Sequence, residues 1–150
     1  MDRTELVKVM EELNVVYGEK KFPLSAKVLT VWFKYLEKIP SNQVEAAVER
    51  FVRKSAFPPT ISEILEGCRE EAEKDTLKKC EIEAAFRILV SLYPGGNGGQ
   101  KEKSAYDSLI NGDPERARKA CEITKNIVSG WEAIGETPPP LEKFLRRMRL

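Results

Sequence analysis

Phe57-Pro58-Pro59-Thr60-Ile61-Ser62-Glu63-Ile64 decides how the rest of this chain is read, because it ends one helix and begins another within eight residues. Each proline fixes its own φ and pushes the preceding residue into extended geometry, so Phe57 and Pro58 lie outside any helix. Thr60 then reads as an N-cap. Its hydroxyl can accept from the Glu63 N–H while the Glu63 carboxylate reaches back to the Thr60 amide, the reciprocal T-x-x-E box, with Pro59 and Ile64 placed as a hydrophobic staple. Such a cap contributes ~1 kcal/mol, enough to fix where the following helix starts.

Working back from this corner, three amphipathic helices precede it. Ser41 is expected to cap the third, in which Val44, Ala47, Val48, Phe51 and Val52 recur at helical spacing while Glu45, Glu49, Arg50 and Arg53 stay in water. The second begins near Leu24 or Ser25 and is stopped by Pro40. Val28, Val31, Trp32, Tyr35, Leu36 and Ile39 are expected on its buried side, widened by Leu29 and Phe33. The first, capped by Asp2 or Thr4, runs to Gly18 with Leu6, Val9, Met10, Leu13, Val16 and Tyr17 as its stripe.

Working forward, Ile61, Ile64, Leu65, Cys68 and Ala72 give the apolar side of a fourth helix. A charged midsection from Glu70 to Lys79 follows, and the pattern resumes with Leu77, Cys80, Ala84, Ala85, Ile88, Leu89 and Leu92. Only Gly67, at a mild cost, weakens helix between Thr60 and Leu92; a near-continuous helix is favoured over two with a joint near Lys74. Tyr93-Pro94-Gly95-Gly96-Asn97-Gly98-Gly99 is a break. A short helix is expected from Lys103 to Ile110. The next starts with Asp113 as N-cap and Pro114 in first position, burying Ala117, Ala120, Cys121, Thr124, Ile127, Val128 and Trp131. After a connector from Gly135 to Pro140, Leu141, Phe144, Leu145 and Met148 form a last short helix carrying Lys143, Arg146, Arg147 and Arg149. No stretch alternates with period two for long enough to make a sheet. The fold class is all-α: a small bundle of three to four helices continued by a long linking helix and a second small helical subdomain.

Composition bounds the chemistry. With 150 residues the chain can bury a real core, and at formal charge +1 with 33% charged residues it is no polycation. Its three cysteines, Cys68, Cys80 and Cys121, are widely spaced, and there is no histidine. This argues against a zinc site and for a reducing cytoplasm, here that of a bacterial host, and it removes the commonest general base. No cofactor and no catalytic or metal residue is assigned. The start Met1-Asp2-Arg3-Thr4-Glu5 lacks the basic and apolar blocks of a leader, and no apolar run reaches the ~20 residues of a membrane span.

Three segments invite a chemical reading. The glycine-rich break fails as a phosphate loop, since Gln100 and Glu102 stand where a Walker motif needs glycine and a hydroxyl residue. Glu70, Glu71 and Glu73 read as a solvated helix face. Two clusters of cations, Arg50, Arg53 and Lys54 at the end of the third helix and Lys143, Arg146, Arg147 and Arg149 on the last, are the candidate contacts to nucleic acid or a partner. Both also have the plainer explanation of cations favouring a helix C-terminus. Neither is interleaved with aromatics as a single-strand stacking platform would be.

The order of parts in the first 65 or so residues resembles the N-terminal domain of the bacteriophage replicative-helicase loader/inhibitor family. The likeness rests on the first helix ending near Tyr17, on Trp32-Phe33 with Tyr35 and Leu36, on Val44-Glu45-Ala46-Ala47-Val48-Glu49-Arg50-Phe51-Val52, and on the closing Phe57-Pro58-Pro59-Thr60-Ile61 corner. It implies a non-catalytic adaptor that binds a replicative DnaB-type helicase, holds it inactive and delivers it to an origin-bound replisome organiser. It also implies a helicase-loader-like domain over residues 1–74, followed by a C-terminal helical subdomain over 75–150. The family's tail is expected to be largely disordered and helicase-binding, whereas residues 76–150 are patterned to fold. Two other readings stay open: a small nucleic-acid-binding regulator or anti-defence protein, and a phage assembly chaperone. An enzyme is not expected.

Overall fold

Helix formation begins where the sequence pairs a cap with an acid three residues on. The Asp2 carboxylate accepts from the Glu5 N–H at 2.8 Å and Glu5 accepts from the Asp2 N–H at 2.7 Å, so α1 (Arg3–Tyr17) opens on a capping box, with Asp2 and not Thr4 as the cap. Gly18, at φ 81°, ends it in a conformation that side-chain-bearing residues avoid. Ser25 caps α2 (Ala26–Leu36) by accepting from the Val28 N–H at 3.3 Å.

The start of α3 (Ser41–Lys54) corrects the sequence reading. Pro40 holds the N-cap place and Ser41 is already helical, with no side-chain cap. Proline's own φ of −57° supplies the turn into the helix, and its carbonyl accepts from the Gln43 and Val44 N–H groups.

This computed structural model describes all 150 residues and contains seven helices and no strand, so the fold is all-α. The remaining helices are α4 (Ile61–Leu92), α5 (Gln100–Ile110), α6 (Pro114–Ile134) and α7 (Leu141–Arg147). α4 is unbroken through its charged midsection. α5 begins three residues before the expected Lys103, because the Glu102 carboxylate gathers the N–H groups of Asn97, Gly98 and Gly99 and draws the glycine segment into its first turn. α6 starts as expected, with Asp113 accepting from the Glu115 N–H at 2.9 Å and Pro114 at its first position. No helix is long and apolar enough to cross a membrane.

The chain forms two compact units, Met1–Lys74 and Asp75–Leu150, and the boundary falls inside α4. In the first, Leu6, Met10 and Leu13 of α1 join Trp32 and Leu36 of α2, Val44 and Val48 of α3 and Ile64 of α4 in one core. Phe22 meets the Trp32 ring edge-on at 5.8 Å. In the second unit, Phe86 and Leu89 of α4 pack with Tyr106 and Ile110 of α5, Ala120 of α6 and Leu145 of α7. Tyr93, Trp131 and Phe144 form a mutual aromatic cluster with centroids 5.1 to 6.0 Å apart. The buried phenols are satisfied. Tyr106 donates to the Ile82 carbonyl at 3.0 Å and Tyr93 to that of Pro139, and burial pushes the Tyr93 pKa up to about 12.

Several apolar residues face water where the sequence pattern predicts burial. Val31 and Tyr35 of α2 are exposed; each sits one residue, about 100° of helix, from Trp32 and Leu36, which take the core. Val16 is exposed near the end of α1. In the second half of α4 the buried face runs through Ala85, Phe86 and Leu89, while Leu77, Cys80, Ala84 and Ile88 turn to solvent. Phe86 lies outside the expected stripe. A helix that is apolar on two sides does not reveal by periodicity alone which side finds partners.

Candidate interaction surface

The Pro-Pro corner is built as its residues dictate. The Thr60 N–H donates to Glu63 Oε2 at 2.8 Å, the Thr60 hydroxyl donates to the same oxygen at 2.8 Å, and the Glu63 N–H donates back to Thr60 Oγ1 at 3.3 Å. The backbone donor at Thr60, followed by its hydroxyl, lowers the Glu63 pKa below the usual carboxylate value. Pro59 and Ile64 are both buried. Phe57, by contrast, is 73% exposed. Ser55 fixes its backbone, accepting from the Phe57 N–H at 3.2 Å and donating to the Phe57 carbonyl at 3.0 Å, and Tyr17 donates to the Ser55 carbonyl at 3.0 Å. The Lys21 ammonium lies 6.0 Å from the Phe57 ring. The corner therefore presents an aromatic ring to water on a braced backbone, the pre-organised kind of anchor that protein interfaces favour.

Next to the corner, α3 and α4 approach closely at Gly67. A Cβ there would lie 2.9 Å from Ala47 Cβ. Arg50 locks this crossing: it donates to the Gly67 carbonyl at 3.3 Å and pairs with Glu70 at 2.7 Å and Glu71 at 3.0 Å. Arg53 pairs with Glu49 on its own helix. Lys54 is exposed beside a depression of 250 Å³ whose other lining residues include Glu63, Glu66 and Glu70. In this first cluster of sequence-predicted contacts, Arg50 and Arg53 are engaged inside the protein and the surrounding acids balance the field.

On α2, Lys27, Val31, Lys34 and Tyr35 share one outward face, at the spacing i, i+4, i+7 and i+8. The helix carries no acidic residue, and the Lys34 ammonium sits 5.9 Å from the Tyr35 ring. Val31 is 47% and Tyr35 50% exposed. This is a cationic surface with an apolar ridge. Sequence reasoning places both apolar residues in the core. The available signal is that Trp32 and Leu36 alone suffice for the buried side of so short a helix.

The second cluster differs from the first. Leu141, Phe144 and Leu145 anchor α7, and of its cations only Arg146 has a carboxylate partner, Glu142 at 3.1 Å, in an exposed pair. Lys143, Arg147 and Arg149 extend into solvent. Arg116 of α6, which the sequence reading leaves among solvated positions, joins them. It lines a depression of 380 Å³ together with Ser108, Arg146 and Met148, and a second of 640 Å³ together with Arg118 and Lys119. Its Nε is buried and has no hydrogen-bond partner. An orphaned buried donor costs ~1–3 kcal/mol, so such a group calls for a ligand or another explanation.

Chemically, these surfaces bind by charge and shape. Burial pushes the thiols of Cys68 and Cys121 up and away from thiolate formation, and Glu70 and Glu71 are neutralised by Arg50.

Residues 1–65 match the family model for the N-terminal domain of the phage helicase loader/inhibitor family, so this part of the chain is a phage helicase-associated domain. No curated protein matches the chain significantly, and no solved structure does.

Proposed function

We propose that this chain, whose residues 1–65 form a domain of the phage helicase loader/inhibitor family, is a non-catalytic replication adaptor that binds a replicative DnaB-type helicase. It holds the hexamer inactive and hands it to an origin-bound replisome organiser in the cytoplasm of the bacterial host. The observation that carries this reading is the match of residues 1–65. The exposed face of Lys27, Val31, Lys34 and Tyr35, with Phe57 at the corner, supports it as the contact surface, because aromatic anchors flanked by lysines suit an apolar patch rimmed by acids. Residues 1–74 serve as the helicase-binding domain and 75–150 as a separate helical subdomain.

Pull-down with the phage or host helicase, followed by an ATPase assay, tests the proposal. A stoichiometric complex with a changed ATPase rate is expected. Truncating Tyr35 or Phe57 to alanine should weaken it by about tenfold or more, the effect of removing an interface anchor. If no complex forms and the ATPase rate does not move, the helicase reading is lost.

A further inference from the structure

We infer that the second unit carries a contact for the phosphate backbone of nucleic acid, built by Arg116 and Lys119 of α6 and Arg146 of α7. This site lies beyond residues 1–65 and is independent of the helicase reading.

Three observations converge on it. Arg116 and Arg146, 30 residues apart in sequence, line the same depression, so the fold brings two guanidinium groups from different helices to one place. Arg116 also lines the larger depression that holds Lys119, and it links the two. Its Nε is a buried donor with no partner, a group that an anion at this position would satisfy.

The neighbouring acids leave room for such an anion. Glu115 is bonded to Arg118, which also reaches Glu81 at 3.2 Å, so these three groups largely neutralise one another. Glu142 holds Arg146 only in an exposed pair, which water screens and a phosphate can replace. Glu122, on the rim of the larger depression, is the remaining acid of the lining. Beyond the depressions Lys143, Arg147 and Arg149 add positive charge.

The lining favours a phosphate backbone over an acidic protein. Guanidinium forks match phosphate oxygens in bidentate fashion. The larger depression has Leu150 as its single apolar lining residue and no aromatic anchor of the kind a protein interface is built around. The absence of any ring there also means no base stacking, so the contact follows the backbone without reading sequence.

The test is fluorescence anisotropy of the full chain with a labelled duplex of roughly 20 base pairs, titrated across salt; three phosphate contacts predict a slope of log affinity against log salt of about −2 to −3. The exposed double variant Lys119→Glu/Arg146→Glu should lose at least about tenfold in affinity at ~50 mM salt and flatten the slope. Arg116→Gln, checked for an unchanged melting temperature, should weaken binding in the same direction. Lys27→Glu/Lys34→Glu in the first unit should leave it unchanged. Absence of binding at ~50 mM salt overturns the inference, as does equal binding by the double variant or an equal loss in the first-unit control. Displacement of the duplex by polyglutamate at matched charge concentration, without displacement by unlabelled duplex, would assign the site to an acidic protein and also overturn it. Because no helicase is present, failure here leaves the helicase reading untouched.

Discussion

The two clusters of cations look alike in the sequence and behave differently in the fold. Arg50 is clamped to the Gly67 carbonyl, Glu70 and Glu71, and Arg53 is paired with Glu49, so the cluster at the end of α3 holds two helices together. Around α7 the cations extend outward while apolar neighbours do the anchoring. The difference is set by what lies opposite. α4 supplies acids across from Arg50, whereas α6 presents more cations towards α7. A run of arginines thus becomes structure or surface according to its non-local partners.

This contrast can be broken most sharply at Gly67. Gly67→Ala puts a Cβ 2.9 Å from Ala47 Cβ, where in an open helix the same change would stabilise by ~1 kcal/mol. A net loss of about 1–3 kcal/mol in urea unfolding is expected from overpacking, and a gain in stability would refute the close approach. Arg50→Ala comes next. Its half-buried pairs and carbonyl bond should be worth about 1–2 kcal/mol, between the values for exposed and buried ion pairs. Arg147→Ala should stay within ~0.5 kcal/mol, and equal losses at both positions would erase the distinction.

Thr60→Ala should cost ~1 kcal/mol, read by thermal or urea unfolding. The same box predicts an acid limb. The folded-state pKa of Glu63 lies below its ordinary 4.5, so its contribution is fully present above that value and disappears as pH falls through the lowered one. In Thr60→Ala, which lacks the hydroxyl donor to Glu63, the pH dependence of stability in this range should be shallower than in the parent protein. Identical slopes would separate the carboxylate from the cap.

Local chemistry is legible from the residues, and long-range geometry is not. Asp2, Ser25, Thr60 and Asp113 cap as their side chains dictate, because caps act within three residues. The unbroken α4 can be read too, since nothing between Thr60 and Leu92 forbids helix. In the sequence Gly67 is only a mild cost, whereas its value lies in the missing Cβ facing a helix 20 residues earlier. Phe86 and Ile88 exchange places in the expected core because both sides of that stretch are apolar. At the candidate surfaces, the cations themselves stand out. The acids that engage Arg50 and the convergence of Arg116 with Arg146 depend on helix packing that no local pattern encodes.

The three thiols give this protein a built-in chemical reporter. Cys68 is buried with its S–H towards the Gln43 carbonyl, and Cys121 is half-buried with its S–H donating to the Ala85 carbonyl at 3.2 Å, while Cys80 stands exposed on α4. A maleimide dye added to the native chain should therefore couple first at Cys80, leaving the other two sulfurs for the unfolded state. Fluorophore placement midway along the longest helix then needs no engineered cysteine, and the number of dyes per chain becomes a direct count of folded molecules.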